Sequence, residues 1–238
     1  MVAVSPDEQT HSAPRTARAL ARGELTRAIL ASARQQLGEV GPAQLSVRAV
    51  ARDLGMASSA VYRYFPSRDE LLTALIVLGY DELGEVGERA DAGIGDRADF
   101  AGRWSALAHA VRGWALGHPH DFALLFGSPV PGYAAPTTTV EPATRIPRLV
   151  VNLACDVQRA GLAPSGRVLT SDAEHESLAG LREFAGMPLA DDLALRALRA
   201  WSGLIGSLTL ELFGHFANAI VDLDSYFAAM VRELDPAA

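Results

Sequence analysis

The 238-residue chain contains no lysine, and all 21 of its basic residues are arginine. Cysteine occurs once, at Cys155, which excludes an internal disulfide framework and leaves a cysteine-based metal cage without partners. That residue reads as a small buried apolar side chain; redox sensing would need exposure and a lowered pKa. No apolar run approaches the roughly 18 residues of a membrane span. The first 19 positions mix Asp7, Glu8, His11, Arg15 and Arg18 with prolines, which is not a secretory signal. The expectation is therefore a cytoplasmic chain with no membrane partner. Alternating strand patterns, internal repeats, a Gly-x-Ser-x-Gly elbow and a phosphate-binding glycine loop are all missing, so the chain is read as all-α and not as an enzyme, with no cofactor implied.

What is present is unevenly distributed. Hydrophobic residues make up 49%, enough for a well-buried core, and the formal net charge of -7 argues against an anionic partner when the chain is taken whole. From Arg15 to Arg68, however, nine arginines face only Glu24, Glu39 and Asp53, while residues 69 to 238 carry 12 arginines against 23 acids. A basic amino-terminal module followed by an acidic one assigns the anionic partner to the first.

Residues 1–14 lack periodicity. In the next stretch Leu25, Ile29, Ala33 and Leu37 fall at helical spacing before Gly38, Gly41 and Pro42. Ser46 is then a candidate N-cap for a two-turn helix with Val47, Val50, Ala51 and Leu54 on one face, stopped by Gly55. A short piece over 58–65 ends at Pro66, and "SRDE" at 67–70 predicts a capping box that opens a long helix. Further helices are predicted over 99–117, 118–126, about 140–161, about 172–186, 190–214 and 217–234. A proline-rich loop, "GSPVPGYAAPTTTVEP", fills 127–142, and a loop of that length in a compact bundle is more often functional than neutral.

The stretch "DLGMASSAVYRYFPSRDELL" carries the chemistry. At about 100° per residue, Ser58, Ser59, Tyr62 and Arg63 share an arc of about 140°, with Ala60, Val61, Tyr64 and Phe65 opposite. Small serines allow close backbone approach, the tyrosine offers a hydroxyl and a flat ring, and the arginine fork suits guanine edges or phosphate. No acid lies on that face. Preceded by a two-turn helix and a glycine turn, this is a helix-turn-helix, whose second helix enters a major groove. The plain alternative is a helical corner with solvated Tyr and Arg side chains. Cap, turn glycine, polar face, terminal proline and local positive charge coincide against it.

The segment from about 20 to 82, "ELTRAILASARQQLGEVGPAQLSVRAVARDLGMASSAVYRYFPSRDELLTALI", resembles the DNA-binding domain of TetR-type transcriptional regulators. The resemblance implies a three-helix DNA-binding domain over 20–82 after an unstructured tail, 1–19, and an effector-binding and dimerisation bundle over 83–238. It further implies that Ser46, Tyr62, Tyr64 and Arg68 lie against phosphates and that Ser58, Ser59 and Arg63 face base edges. Tyr64 stands where the family often has histidine, Arg68 where it often has lysine, and Ala57 where a serine cap is frequent. Arg15, Arg18 and Arg22 are candidates for an arm along the DNA or for a solvated helix start.

"GWALGHPHDFALLFGSPVPGYAAP" resembles a subtype marked by Trp, His-Pro, Phe-Gly and a Pro-Gly-Tyr-x-Ala-Pro loop, the WHG subtype, over roughly 100–215. That implies an effector pocket for a small molecule, for which Trp104, Trp114, Phe122, Phe126, Tyr133 and Trp201 are candidates, each equally readable as core. Leu198, Trp201, Leu204, Ile205, Leu208 and Leu212 form an apolar stripe with Gly203, Gly206 and Ser207 beside it, fit for a homodimer interface or a core helix. A two-turn recognition helix reads too few base pairs alone, which also points to a dimer on a pseudo-palindromic operator. His109, His118, His120 and Asp121 do not have metal-ligand spacing, since His118 and His120 face different sides of a helix. The expected function is a ligand-responsive repressor. A helical binding or catalytic protein with an unused helix-turn-helix, or a constitutive DNA binder, remains as the alternative.

Overall fold

The computed structural model describes residues 13–162 and 171–237, and every regular element among them is helical. Helix α1 (Ala13–Val40) buries Ile29, Ala33 and Leu37 on one stripe. The expected tail falls outside the described residues as far as position 12, but 13–19 are helical rather than unstructured. Alanine-rich sequence favours this.

Gly41, at φ 75°, turns the chain, and a 3-10 turn at Pro42–Gln44 leads to α2 (Val47–Asp53). Ser46 caps α2 as the sequence predicts, its Oγ accepting the Ala49 N–H. Gly55, at φ 64°, makes the following turn, and α3 spans only Ser58–Tyr62. The expected helix over 58–65 is cut short because Pro66 cannot continue it, and the Phe65 N–H closes the last turn on the Val61 carbonyl. In α4 (Arg68–Gly93), Ser67 Oγ accepts the Glu70 N–H at 3.1 Å. The return bond from Glu70 is not formed among the described residues, so the capping box is half made.

The chain divides into two compact units. One ends at Leu75 and takes in Val130–Tyr133; the other comprises Ile76–Pro129 and the chain from Ala134 onward. The division thus falls inside α4, earlier than the 82/83 boundary read from sequence, and the first unit is not one continuous segment. Its core gathers Ile29, Leu37, Val47, Val50, Val61, Phe65, Leu71 and Leu72. Tyr133 joins it through a 2.8 Å hydrogen bond between its hydroxyl and that of Thr73.

The second unit contains α5 (Phe100–Gly117), α6 (Pro119–Phe126), α7 (Val140–Arg159), α8 (Asp172–Ser177), α9 (Ala179–Ala185), α10 (Asp191–Leu212) and α11 (Leu223–Glu233). Helices α7 and α10 form the central pair, with α5 against both. Trp104, Leu107, Val111, Phe122, Val150, Leu153, Leu204, Leu208 and Phe227 fill the core. The single helix expected over 172–186 breaks at Leu178. Helix α11 starts later than predicted because Asn218 adopts a left-handed φ of 64° and Asp222 Oδ1 accepts the N–H groups of Asp224 and Ser225.

Three arginines brace this unit. Arg103, only 3% exposed, donates to Asp91 and Asp156; Arg112 donates to Glu211 and Asp224; Arg145 joins α7 to Asp81 and Glu88 of α4. Burial works against ionisation of Asp91, but hydrogen bonds from Arg103 and Arg97 outweigh it and hold the carboxyl below its ordinary range. Glu88 is lowered chiefly by its hydrogen bonds from Arg145. No helix among the described residues is long and apolar enough to cross a membrane.

Candidate functional site

Helix α3 has five residues, too few for a helix to persist alone, so its geometry is set by what it packs on. Val61 is fully buried and Phe65 nearly so, while Ser59, Tyr62 and Arg63 are exposed. Ser58 is half-buried, and Tyr64, expected on the packed side, is half-buried with the Arg22 guanidinium 5.0 Å above its ring. The division of α3 into an inward apolar side and an outward Ser/Tyr/Arg side therefore follows the helical spacing.

The other candidates are placed differently. Ser46 spends an acceptor lone pair on its cap, and its hydroxyl proton stays available to a phosphate. Arg68 is more engaged: it donates to the Pro42 carbonyl at 2.8 Å and to Asp69 at 3.3 Å, tying the start of α4 to the turn before α2. Arg48 and Arg52, not singled out by the motif, are exposed on α2 without a carboxylate partner among the described residues. They add to the cationic surface, and the absence of an acid at i±3 or i±4 on an exposed face was the available signal, with Asp53 instead accepting from Gln36 Nε2. Arg18 and Arg22 are exposed; the side chain of Arg15 lies outside the described residues.

The six aromatic candidates for a pocket do not converge. Trp104 is buried, and its indole N–H donates to the Val231 carbonyl. Trp114 is buried and stacks on His118. Tyr133 belongs to the first unit. Phe122, Phe126 and Trp201 do form a chain, with ring centroids 4.9 and 6.0 Å apart. Only Trp201 reaches a cavity of about 220 Å³ between α7, α9 and α10. Sequence missed its other walls because Val150, Leu181, Phe184 and Ala197 are ordinary apolar residues at helical spacing.

Cys155 is buried, and burial pushes its thiol up, which disfavours the thiolate that redox chemistry uses. His118 Nδ1–H donates to the Trp114 carbonyl, and no group of three or more metal-ligating side chains converges among the described residues.

A helix-turn-helix unit joined to a helical bundle defines the class: a DNA-binding regulator. The model described as "Bacterial regulatory proteins, tetR family" matches residues 29–75, and "Tetracyclin repressor-like, C-terminal domain" matches 104–234. The HTH-type transcriptional regulator Rv1816 of Mycobacterium tuberculosis is 41% identical over 225 residues, covering 90% of this chain and 92% of its own; the HTH-type transcriptional regulator Mb1846 of Mycobacterium bovis matches to the same extent. Among solved structures, the regulatory-protein structure SCO4313 shares 34% identity at a TM-score of 0.74, covering 90% of this chain and 96% of its own. The chain belongs to the TetR family of bacterial transcriptional regulators and is a DNA-binding regulator of transcription.

Proposed function

We propose that the protein is a homodimeric, ligand-responsive repressor that reads a pseudo-palindromic operator with α3. Ser58, Ser59 and Arg63 face base edges, Arg63 as a bidentate donor. Ser46, Tyr62 and Tyr64 hold phosphates, and Arg68 does so with the N–H groups left after its bonds to Pro42 and Asp69. The observation that carries this reading is an exposed, acid-free Ser59/Tyr62/Arg63 side on a helix whose opposite side, at Val61 and Phe65, is buried.

The stripe read from sequence is largely core, with Leu204 and Leu208 fully buried; the dimer is instead supported by the exposed side of α10 and its C-cap, where Leu198, Leu210 and Phe213 are each more than 40% exposed beside the small residues Ser202 and Gly206. An apolar stripe with small residues allows close helix approach by a second copy. Effector binding to the bundle acts through α4 and changes the spacing of the two recognition helices from the roughly 34–36 Å between successive major grooves. The protein has no catalytic role in this reading.

Mobility shift on the protein's own upstream DNA tests the reading. Arg63→Ala should weaken binding by about 2–6 kcal/mol summed over two half-sites. Affinity should fall by about 0.9 log units per log salt for each phosphate contacted. Equal affinity of wild type and variant would remove Arg63 from base readout, and a monomer by sedimentation would remove the palindromic arrangement.

A further inference from the structure

Within the proposed ligand response, on which this inference rests, we infer that the effector site is the cavity between α7, α9 and α10 and that it takes a small, uncharged apolar molecule. The cavity of about 220 Å³ is walled by Val150, Val151, Leu181, Phe184, Ala197 and Trp201, and it opens beside Leu198, on the α10 side offered to a second copy. It exceeds the roughly 150 Å³ apolar cavity that holds benzene, so a bicyclic hydrocarbon skeleton is of the right size. Thr144 contributes the only side-chain oxygen of the lining, and its hydroxyl proton already goes to the Glu141 carbonyl. A carboxylate or ammonium carried past the open mouth and against the wall meets no counter-charge there and loses its hydration.

The walls are held in place from outside. Arg148 lies 4.5 Å over the Phe184 ring, and Arg182 pairs with Asp191, which fixes α9 against the start of α10. A wall so braced keeps the cavity formed before a ligand arrives, which lowers the ordering cost of binding.

Two walls also touch α4, each through one residue. Trp201 meets Phe126 edge to face, and Phe126 meets Tyr80 the same way; Tyr80 in turn donates to the Leu125 carbonyl. On the opposite wall, Thr144 and Pro147 line the cavity while Arg145, between them, grips Asp81 and Glu88. The two paths reach adjacent α4 residues, 80 and 81, and the second also reaches Glu88. A ligand that spreads α7 from α10 moves both attachments at once, so that α4 answers to cavity occupancy.

The full-length protein is titrated calorimetrically with naphthalene and with 2-naphthoate, alongside Ala197→Phe and Leu181→Arg, each checked for folding by circular dichroism. Naphthalene should bind wild type, binding should weaken at least about tenfold in both variants, and 2-naphthoate should bind about a hundredfold more weakly. Absence of naphthalene binding, undiminished binding in both folded variants, or a preference for the carboxylate overturns the cavity assignment. So does a change in dimer dissociation, without a change in ligand affinity, in Leu181→Arg. The same samples are run in mobility shift with upstream DNA: naphthalene that binds in the cavity yet releases no DNA overturns the ligand-responsive reading and leaves the site standing.

Discussion

In the unit that ends at Leu75, Arg48, Arg52 and Arg63 stand exposed without a carboxylate partner among the described residues, whereas in the bundle Arg103, Arg112 and Arg145 each hold two carboxylates. One residue type thus does two jobs, and neighbouring acids decide which. A paired, buried guanidinium fixes geometry, and an exposed unpaired one keeps its donors for an anion. The whole-chain charge of -7 conceals this, because the acids that produce it sit largely beyond residue 69.

The contrast breaks most sharply at Arg103. Arg103→Ala leaves Asp91 to Arg97 alone and Asp156 to Arg159 alone beside a buried void, and should cost about 2–3 kcal/mol of stability in chemical denaturation. Arg63→Ala should stay within about 0.5 kcal/mol of wild type in the same experiment. Comparable losses from the two would erase the distinction.

Acid separates the units next. Glu88 and Asp91 have folded pKa values below their ordinary ones, so their contribution is complete above the ordinary carboxylate range, about pH 4, and is lost as pH falls through the folded values. Near-ultraviolet dichroism from the bundle tryptophans should hold from pH 6 to about 4.5 and then decline. In Arg145→Gln, which removes the main cause of the Glu88 shift, the decline should be shallower, and an unchanged profile would place the acid-sensitive pairs elsewhere.

Smaller effects sharpen the description of the first unit. Ser46→Ala should lower stability by about 1 kcal/mol through the lost cap, with Ser46→Asp restoring it in a melt. Gly23→Ala, where an added Cβ meets nothing within 4 Å, should raise it by about 0.5–1 kcal/mol; a decrease there would mean that the face is covered.

The features legible in sequence were local ones. The Ser46 cap, the Gly55 turn and the two sides of α3 depend on residues a few positions apart, and the structure carries all three. Helix ends were less legible where a loop residue decided them: Asn218 and Asp222 set the start of α11, and a Leu178 turn splits α8 from α9. The cavity was illegible because aromatic content marks core as readily as pocket. Trp104 and Trp114 went to packing, while a wall built from Val150, Leu181 and Ala197 is recognisable only once α7, α9 and α10 come together. Arg68 looked free for phosphate because its Pro42 acceptor lies 26 positions away.

Thr73 receives Tyr133 from a loop that leaves α6 and returns to α7. The helix-turn-helix unit is therefore completed by sequence translated more than fifty residues after α3. A shortened gene stopping at codon 82 would encode a head with an open seam at Thr73, and grafting that head onto a foreign partner would require the Pro-Gly-Tyr stretch to travel with it.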